Sequence, residues 1–378
     1  MRNLKLIFAG LIGLNLVACG NPSPQVMPRS QQFKAETESF PAVESSINPR
    51  VDILFVIDNS HSMTTHQKRL SENIDSFVKN FARQDFIDFH IGVTSVYDTR
   101  KFSTDEYKTR YPGKPNYRNG ELRPVSGSSV GDARYITNQT DNLIESLEKT
   151  LLIGTVAPNK GGPRWEESFS PVVAAFSDGD LARGANSGFR REIAHKAVIF
   201  VTDAEDQSLD MSVSQFNAYL KGLVPPDSQL KVATYGVISP SNEPHCNKDY
   251  DVRPEDAENP VRIEELLAVS GGMMLSLCQA DFGETLAEIG NDLWEKVTTR
   301  RLKLRNGRPD FNKPFVVYLG GKELSVELWS YEPHSASVIV RMDPSLSANI
   351  DEPITVSYTQ VEYVNIQNGN TRRYGKNR

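Results

Sequence analysis

Residues 51–57 read VDILFVI, a β-branched and apolar run interrupted by one aspartate. A strand with apolar residues at consecutive positions has no solvent face, so it must be covered on both sides. The rest of the chain supplies the cover. Residues 63–83 carry Leu70, Ile74, Phe77, Val78 and Phe81 at helical spacing. Further strands are read at 88–96 (DFHIGVTSV), 197–202 (AVIFVT), 230–238 (LKVATYGVI) and 273–277. Further helices are read at 141–152, 212–223, 261–269 and 281–299. Phe169, Val172, Val173 and Phe176 fall at i, i+3, i+4 and i+7, the buried side of another helix, with Pro171 in its first turns where a missing N–H is tolerated. Residues 98–138 are polar, with Gly and Pro, and read as an edge hairpin with long loops. Strands alternating with helices over residues 50–300 predict an α/β fold, a doubly wound and mostly parallel sheet flanked by helices. Beyond residue 300 the helical period stops. Short alternating segments such as KELSVELWSY and SASVIVRM predict a small C-terminal antiparallel β domain over 301–378.

In a doubly wound sheet, ligands bind outside the carboxyl ends of the strands, where the strand order reverses. The first strand ends in Asp58-Asn59-Ser60-His61-Ser62, and a later one ends in Thr202-Asp203. Alternate serines in a tight loop turn to one side, and two strands that each end in an aspartate converge on one point. Such oxygens suit a hard divalent cation, Mg²⁺ or alternatively Mn²⁺. The other reading of Asp58 is a helix N-cap.

DNSHSM resembles the Asp-x-Ser-x-Ser element of the metal-ion-dependent adhesion site in von Willebrand factor type A domains. VTDAED is similar to that family's second aspartate loop. The resemblance covers roughly residues 50–300. It implies a Rossmann-like fold that binds a protein partner through Mg²⁺, with the partner offering an acidic side chain. It implies metal ligands at Asp58, Ser60, Ser62 and Asp203. The family's third element is a threonine before a middle helix. Here Glu166 is the expected ligand, with Ser168 and Thr155 as alternatives. His61 stands where a small residue is usual and is expected to face solvent. Ala204 replaces the usual glycine, and the acids Glu205 and Asp206 either alter metal preference or face solvent. The alternative function is a structural or scaffold lipoprotein of the envelope with a degenerate, metal-free site.

Residues 1–18 have Arg2 and Lys5 before an apolar stretch too short to span a bilayer, then LVACG. This resembles a bacterial lipoprotein signal with its lipobox. The resemblance implies lipidation of Cys19, a membrane anchor, and an outer-membrane location, since Gly20 is not the aspartate of inner-membrane retention. Residues 19–49, with five prolines and no apolar period, read as a flexible linker. With Cys19 consumed, Cys246 and Cys278 remain as a disulfide pair, with two free thiols as the alternative. The net charge of −6 argues against a nucleic-acid partner. No nucleophile elbow, His-Glu-x-x-His or phosphate-cradling glycine loop is present, so no enzyme activity is expected. Trp329 and Tyr331, at alternate strand positions, are read as packing residues rather than a carbohydrate platform.

Overall fold

A computed structural model describes residues 29–41, 50–81, 87–104, 106, 110, 118–126, 133–209, 211–226, 228–243, 246, 259–341, 346, 352–367 and 370–372. The expected signal segment and Cys19 lie outside these residues. The chain runs through β1 (Arg29–Phe40), β2 (Arg50–Ile57), α1 (Thr64–Phe81), β3 (Asp88–Ser95), β4 (Tyr135–Ile136), α2 (Leu143–Leu151) and α3 (Phe169–Phe176). It continues through β5 (His195–Thr202), α4 (Val213–Lys221), β6 (Val232–Ile238), α5 (Val261–Ser270), β7 (Met273–Ser276) and α6 (Phe282–Thr298). Then come β8 (Thr299–Lys303), β9 (Val316–Leu319), β10 (Lys322–Glu323), β11 (Trp329–Glu332), β12 (Ser337–Arg341), β13 (Ile354–Gln367) and β14 (Asn370–Arg372).

The main sheet has six strands in the order β4-β3-β2-β5-β6-β7. Only β4 runs antiparallel, pairing Ile136 with Ile91 at the edge. From β2 the chain first builds toward β3 and β4, then crosses to β5 on the other side of β2. The carboxyl ends of β2 and β5 are therefore the switch point. Side chains alternate across a strand, and both faces of β2 are buried. Ile53, Phe55 and Ile57 join Phe77 of α1 and Leu286, Ile289 and Leu293 of α6. Leu54 and Val56 join Phe169 and Val172 of α3 and Phe216 of α4. Phe169 and Phe216 stack with ring centroids 4.1 Å apart.

At the opposite end of the sheet, Asp52 is wholly buried and fully compensated. Lys196 Nζ lies 3.0 Å from its Oδ2, and Arg191 donates from Nε to Oδ1 (2.7 Å) and from its backbone N–H to Oδ2 (2.8 Å). This cluster locks β2 and β5 together at their amino ends.

The C-terminal part is two small antiparallel sheets. One has the order β1-β13-β9-β10, with β14 also on β13, and the other β11-β12-β8. Their inward residues Val317, Val338, Val340, Ile354 and Val356 belong to the same core as α1 and α6. The expectation of a linker over 19–49 is corrected for residues 29–40, while 19–28 and 42–49 lie outside the described residues. Residues 29–40 form β1, paired in register with β13 from Arg29–Asn365 to Phe40–Ile354. Apolar periodicity could not show this, because β1 buries a carboxylate. Glu38 accepts the N–H groups of Arg305 (2.8 Å) and Asn306 (3.0 Å) and the hydroxyl of Tyr358 (2.5 Å). Trp329 and Tyr331 pack against Phe315 at ring separations of 5.0 and 6.0 Å, as packing residues do. Cys246 and Cys278 form a disulfide that pins the turn after β6 to the segment after β7. No helix among the described residues is long and apolar enough to cross a membrane.

This packing can be tested at two points. A Cβ on Gly290 of α6 would lie 2.7 Å from the Phe77 carbonyl oxygen of α1. Gly290→Ala forces these helices apart and is expected to lower stability by about 1–3 kcal/mol in urea unfolding. The disulfide closes a loop with a sequence separation of 32, so Cys246→Ser is expected to cost about 3–4 kcal/mol in the same measurement.

Candidate functional site

β2 delivers Asp58 to the switch point. Its N–H still donates to Val201 of β5 (2.9 Å), so the residue is fixed against the neighbouring strand. The side chain is wholly buried and is held by dipoles alone. Oδ1 accepts the Ser60 N–H (2.7 Å), and Oδ2 accepts the Thr202 hydroxyl (2.8 Å). The first of these bends the chain into a tight loop. That loop places Ser60 Oγ 3.0 Å from Ser62 Oγ, and Ser62 Oγ donates to Asp203 Oδ1 (3.0 Å). Asp58, Ser60, Ser62 and Asp203 are thus one connected set, as their spacing predicts. His61 is exposed, also as expected.

Gln67 of α1 clamps the loop from below. Its Nε2 donates to the Asp58 carbonyl (2.7 Å), and its Oε1 accepts the Gly154 N–H (3.0 Å). The Val156 N–H donates to the Asn59 carbonyl (3.0 Å). Thr155 therefore sits beside the serine loop, where its hydroxyl pairs with that of Thr64 (2.8 Å). Distance along the sequence understates its nearness.

Glu166 lies on the strap leading to α3. Its backbone is fixed by Gln207, whose Oε1 accepts the Glu166 N–H (3.0 Å) and whose N–H donates to the Glu166 carbonyl (3.0 Å). Burial first, then the negative charges of Asp58, Asp203 and Asp98, push its carboxyl up to about 9. Burial and then Asp58 push Asp203 up to about 7. Burial raises Asp58 against the hydrogen bonds of Ser60 and Thr202. None of Asp58, Asp203 and Glu166 forms an ion pair among the described residues. The contrast with Asp52, answered by a lysine and an arginine, is direct.

The other acids nearby are structural. Glu167 is buried, and its carboxylate accepts the N–H and hydroxyl of Thr99 (2.9 and 2.8 Å) and the Ser170 hydroxyl (2.7 Å). Asp206 Oδ1 accepts the N–H groups of Ser168 (2.7 Å) and Phe169 (3.1 Å), capping α3, while Oδ2 pairs with Arg262 at 3.1 Å. Glu205 Oε2 accepts the Val261 N–H (2.6 Å) at the start of α5. This corrects the expectation for Glu205 and Asp206. They do not simply face solvent; they tie two helices to the aspartate loop. Ser168 is the buried residue that Asp206 holds.

Sequence reasoning missed Gln67 and Asp98. Gln67 had a signal, since it lies three residues before Leu70 on the buried stripe of α1. Asp98 had only the local signal of an N-cap, its Oδ1 accepting the Lys101 N–H (3.0 Å), because its other partners are backbone groups of a distant loop, the N–H groups of Arg164 (2.9 Å) and Trp165 (3.2 Å).

The donor set fits a hard cation in chemistry, with two hydroxyls and unneutralised carboxylates. It is not a preformed carboxylate cage. No group of three or more His, Cys, Asp or Glu side chains placed to hold an ion together occurs among the described residues. A cation here would rest on serine hydroxyls with one or two carboxylates.

No family model matches the sequence, and no curated protein matches it. Among solved structures, the chain is similar to the human COPII-coat protein Sec24c, with a TM-score of 0.36 and 10% identity over 86% of this chain and 46% of that one. It is similar to the pilus adhesin SpaC from Lactobacillus rhamnosus GG in its open conformation (TM-score 0.33, 11% identity, 87% of this chain and 42% of that one). A third likeness is to proximal thread matrix protein 1 from the mussel byssus (TM-score 0.36, 12% identity, 70% and 52%). The chain spans about half or less of the length of each. Likenesses this distant carry no functional statement.

The raised carboxyls give a pH prediction. A carboxyl that binds its proton more tightly in the folded than in the unfolded chain stabilises the fold at low pH. That contribution declines as pH rises above the unfolded value of about 4 and is lost once pH passes the folded value. The folded values are about 7 for Asp203 and about 9 for Glu166. In EDTA, the melting temperature is therefore expected to fall steadily across this window. Asp203→Asn should flatten the part of the fall below neutrality, and a melting temperature that rises with pH would contradict the assignment.

Proposed function

We propose that the chain is a lipid-anchored envelope protein whose von Willebrand factor type A-like domain binds a protein partner in a cation-dependent way. The observation that carries this reading is a set of carboxyl groups at the switch point with no cationic side chain beside them. Asp58, Asp203 and Glu166 are drawn together with no lysine or arginine among the described residues to answer them. Ionising buried carboxyls without a counter-charge is costly, which is why Glu166 and Asp203 hold their protons to higher pH, and a divalent cation would relieve that cost.

Ser60, Ser62 and Asp203 are the groups that would hold Mg²⁺ or Mn²⁺, with Glu166 on the far side. When bound, such a cation supplies an electrophilic position that takes a carboxylate oxygen from outside the chain. Asp58 positions rather than ligates, since both its oxygens are engaged by Ser60 and Thr202. Gln67 holds the loop so that the serine hydroxyls keep their orientation. Glu166 sets the charge of the site, and a neighbouring carboxylate makes the ion less avid for a second one. Lipidation at Cys19 would anchor the domain without spanning the bilayer, with the outer membrane as the proposed location. No catalytic constellation adjoins the site among the described residues, and binding rather than chemistry is the proposed role.

A second reading is a scaffold lipoprotein that works with the site empty. The lack of a preformed carboxylate cage among the described residues favours it.

Calorimetric titration of Mg²⁺ and Mn²⁺ into the full chain separates the two. The cation reading expects saturable heat, and stabilisation of about 2.7 kcal/mol at a hundredfold excess over Kd. Both should disappear in Ser62→Ala and in Asp58→Asn. No heat at millimolar metal from the unaltered chain would give precedence to the scaffold.

A further inference from the structure

Next to the carboxylates lies a cavity of the opposite charge. Its volume is about 460 Å³, and its lining holds the cations Arg100, Lys101, Arg110 and Arg164 and the indole of Trp165 against two acids, Asp98 and Glu106, the latter paired with Arg110 at 3.8 Å. The two regions meet at consecutive residues, because Trp165 lines the cavity and Glu166 lies within the electrostatic reach of Asp58 and Asp203. One buried carboxylate builds the cavity. Asp98 Oδ1 accepts the Lys101 N–H (3.0 Å), fixing the turn that presents Arg100. Its Oδ2 accepts the N–H groups of Arg164 and Trp165. Lys101 Nζ holds the facing wall through the carbonyls of Pro158 (2.8 Å) and Gly162.

What this scaffold presents is a tryptophan flanked by two arginines. The Arg100 guanidinium lies 4.4 Å from the Trp165 ring centroid, and that of Arg164 lies 5.9 Å from it. Both arginines are exposed, and neither forms an ion pair among the described residues. Stacking on an indole fixes a guanidinium while leaving its N–H fork open to an anion.

We infer that this cavity is a second recognition site, for an acidic peptide segment of the partner. Guanidinium forks match carboxylates in a bidentate way. The free parts of the indole face offer apolar surface to the side-chain stems between them. A nucleic acid fits less well. Phosphates at every nucleotide are repelled by a chain whose net charge is −6. A peptide with carboxylates at alternate positions can seat two on the arginines and keep neutral residues toward Glu166. This goes beyond the proposed function and stands without the cation.

Fluorescence anisotropy of a fluorescein-labelled peptide of alternating Glu and Ser, added to the full chain in EDTA, tests it. Saturable binding is expected, weakened about ten-fold or more by Arg100→Glu with Arg164→Glu, at an unchanged melting temperature. Arg100→Gln alone should weaken it less. The inference is overturned if the peptide does not bind, or if the charge reversals leave binding unaltered. It is also overturned if inorganic phosphate or a single-stranded oligonucleotide of equal charge displaces the peptide as well as unlabelled peptide does. Because EDTA removes the cation, failure of the Mg²⁺ titration leaves this result untouched, and the converse holds.

Discussion

The structure turns on the burial of one carboxylate at the end of an apolar strand. Asp58 continues β2 by one residue, hydrogen-bonded through its N–H to β5, and its side chain has no access to water. Its two oxygens organise the carboxyl end of the sheet. One takes the Ser60 N–H and makes the loop; the other takes Thr202 and joins that loop to the end of β5. Removing the carboxylate would leave Ser60 N–H and Thr202 hydroxyl unanswered in a buried setting, and the serines would lose their common orientation.

The two ends of the sheet treat the same problem differently. At the amino ends, Asp52 is matched by Lys196 and Arg191, which is what a purely structural buried aspartate requires. At the carboxyl ends, Asp58, Asp203 and Glu166 gather with hydroxyls and no cationic side chain among the described residues. A fold that needed only stability had the means to neutralise these groups. Meanwhile Glu167, Asp98, Asp206 and Glu205, all close by, hold backbone N–H groups, with hydroxyls added at Glu167 and Arg262 at Asp206. Those acids are the frame, and the carboxyls without a cationic partner form the candidate site.

Much of this was legible in the sequence, and the reasons are specific. Consecutive apolar residues at 51–57 and 197–202 could only be doubly covered strands, and the helical stripes of α1 and α6 could only cover them. Asp58, Ser60, Ser62 and Asp203 were readable because a short spacing at a strand end fixes where side chains point. What escaped was anything whose partner lies far along the chain. β1 looked like linker because its inward residue Glu38 is charged, and its stability comes from Tyr358 and two backbone N–H groups more than 260 residues away. Glu205 and Asp206 looked like loose acids because the helix starts they cap lie 56 and 38 residues away in sequence, respectively. Thr155 stood only as an alternative ligand, because the fold of residues 154–156 against Asn59, which brings it beside the serine loop, has no local signal.

The most direct test of the account is where a cation goes. Crystals of the full chain grown with Mn²⁺ near neutral pH, measured at the manganese absorption edge, locate the ion by its anomalous signal. The account predicts a peak among Ser60, Ser62 and Asp203, on the side that Glu166 faces. A fully occupied ion elsewhere on the chain, with the serine loop and Asp203 still hydrogen-bonded only to one another, would contradict it.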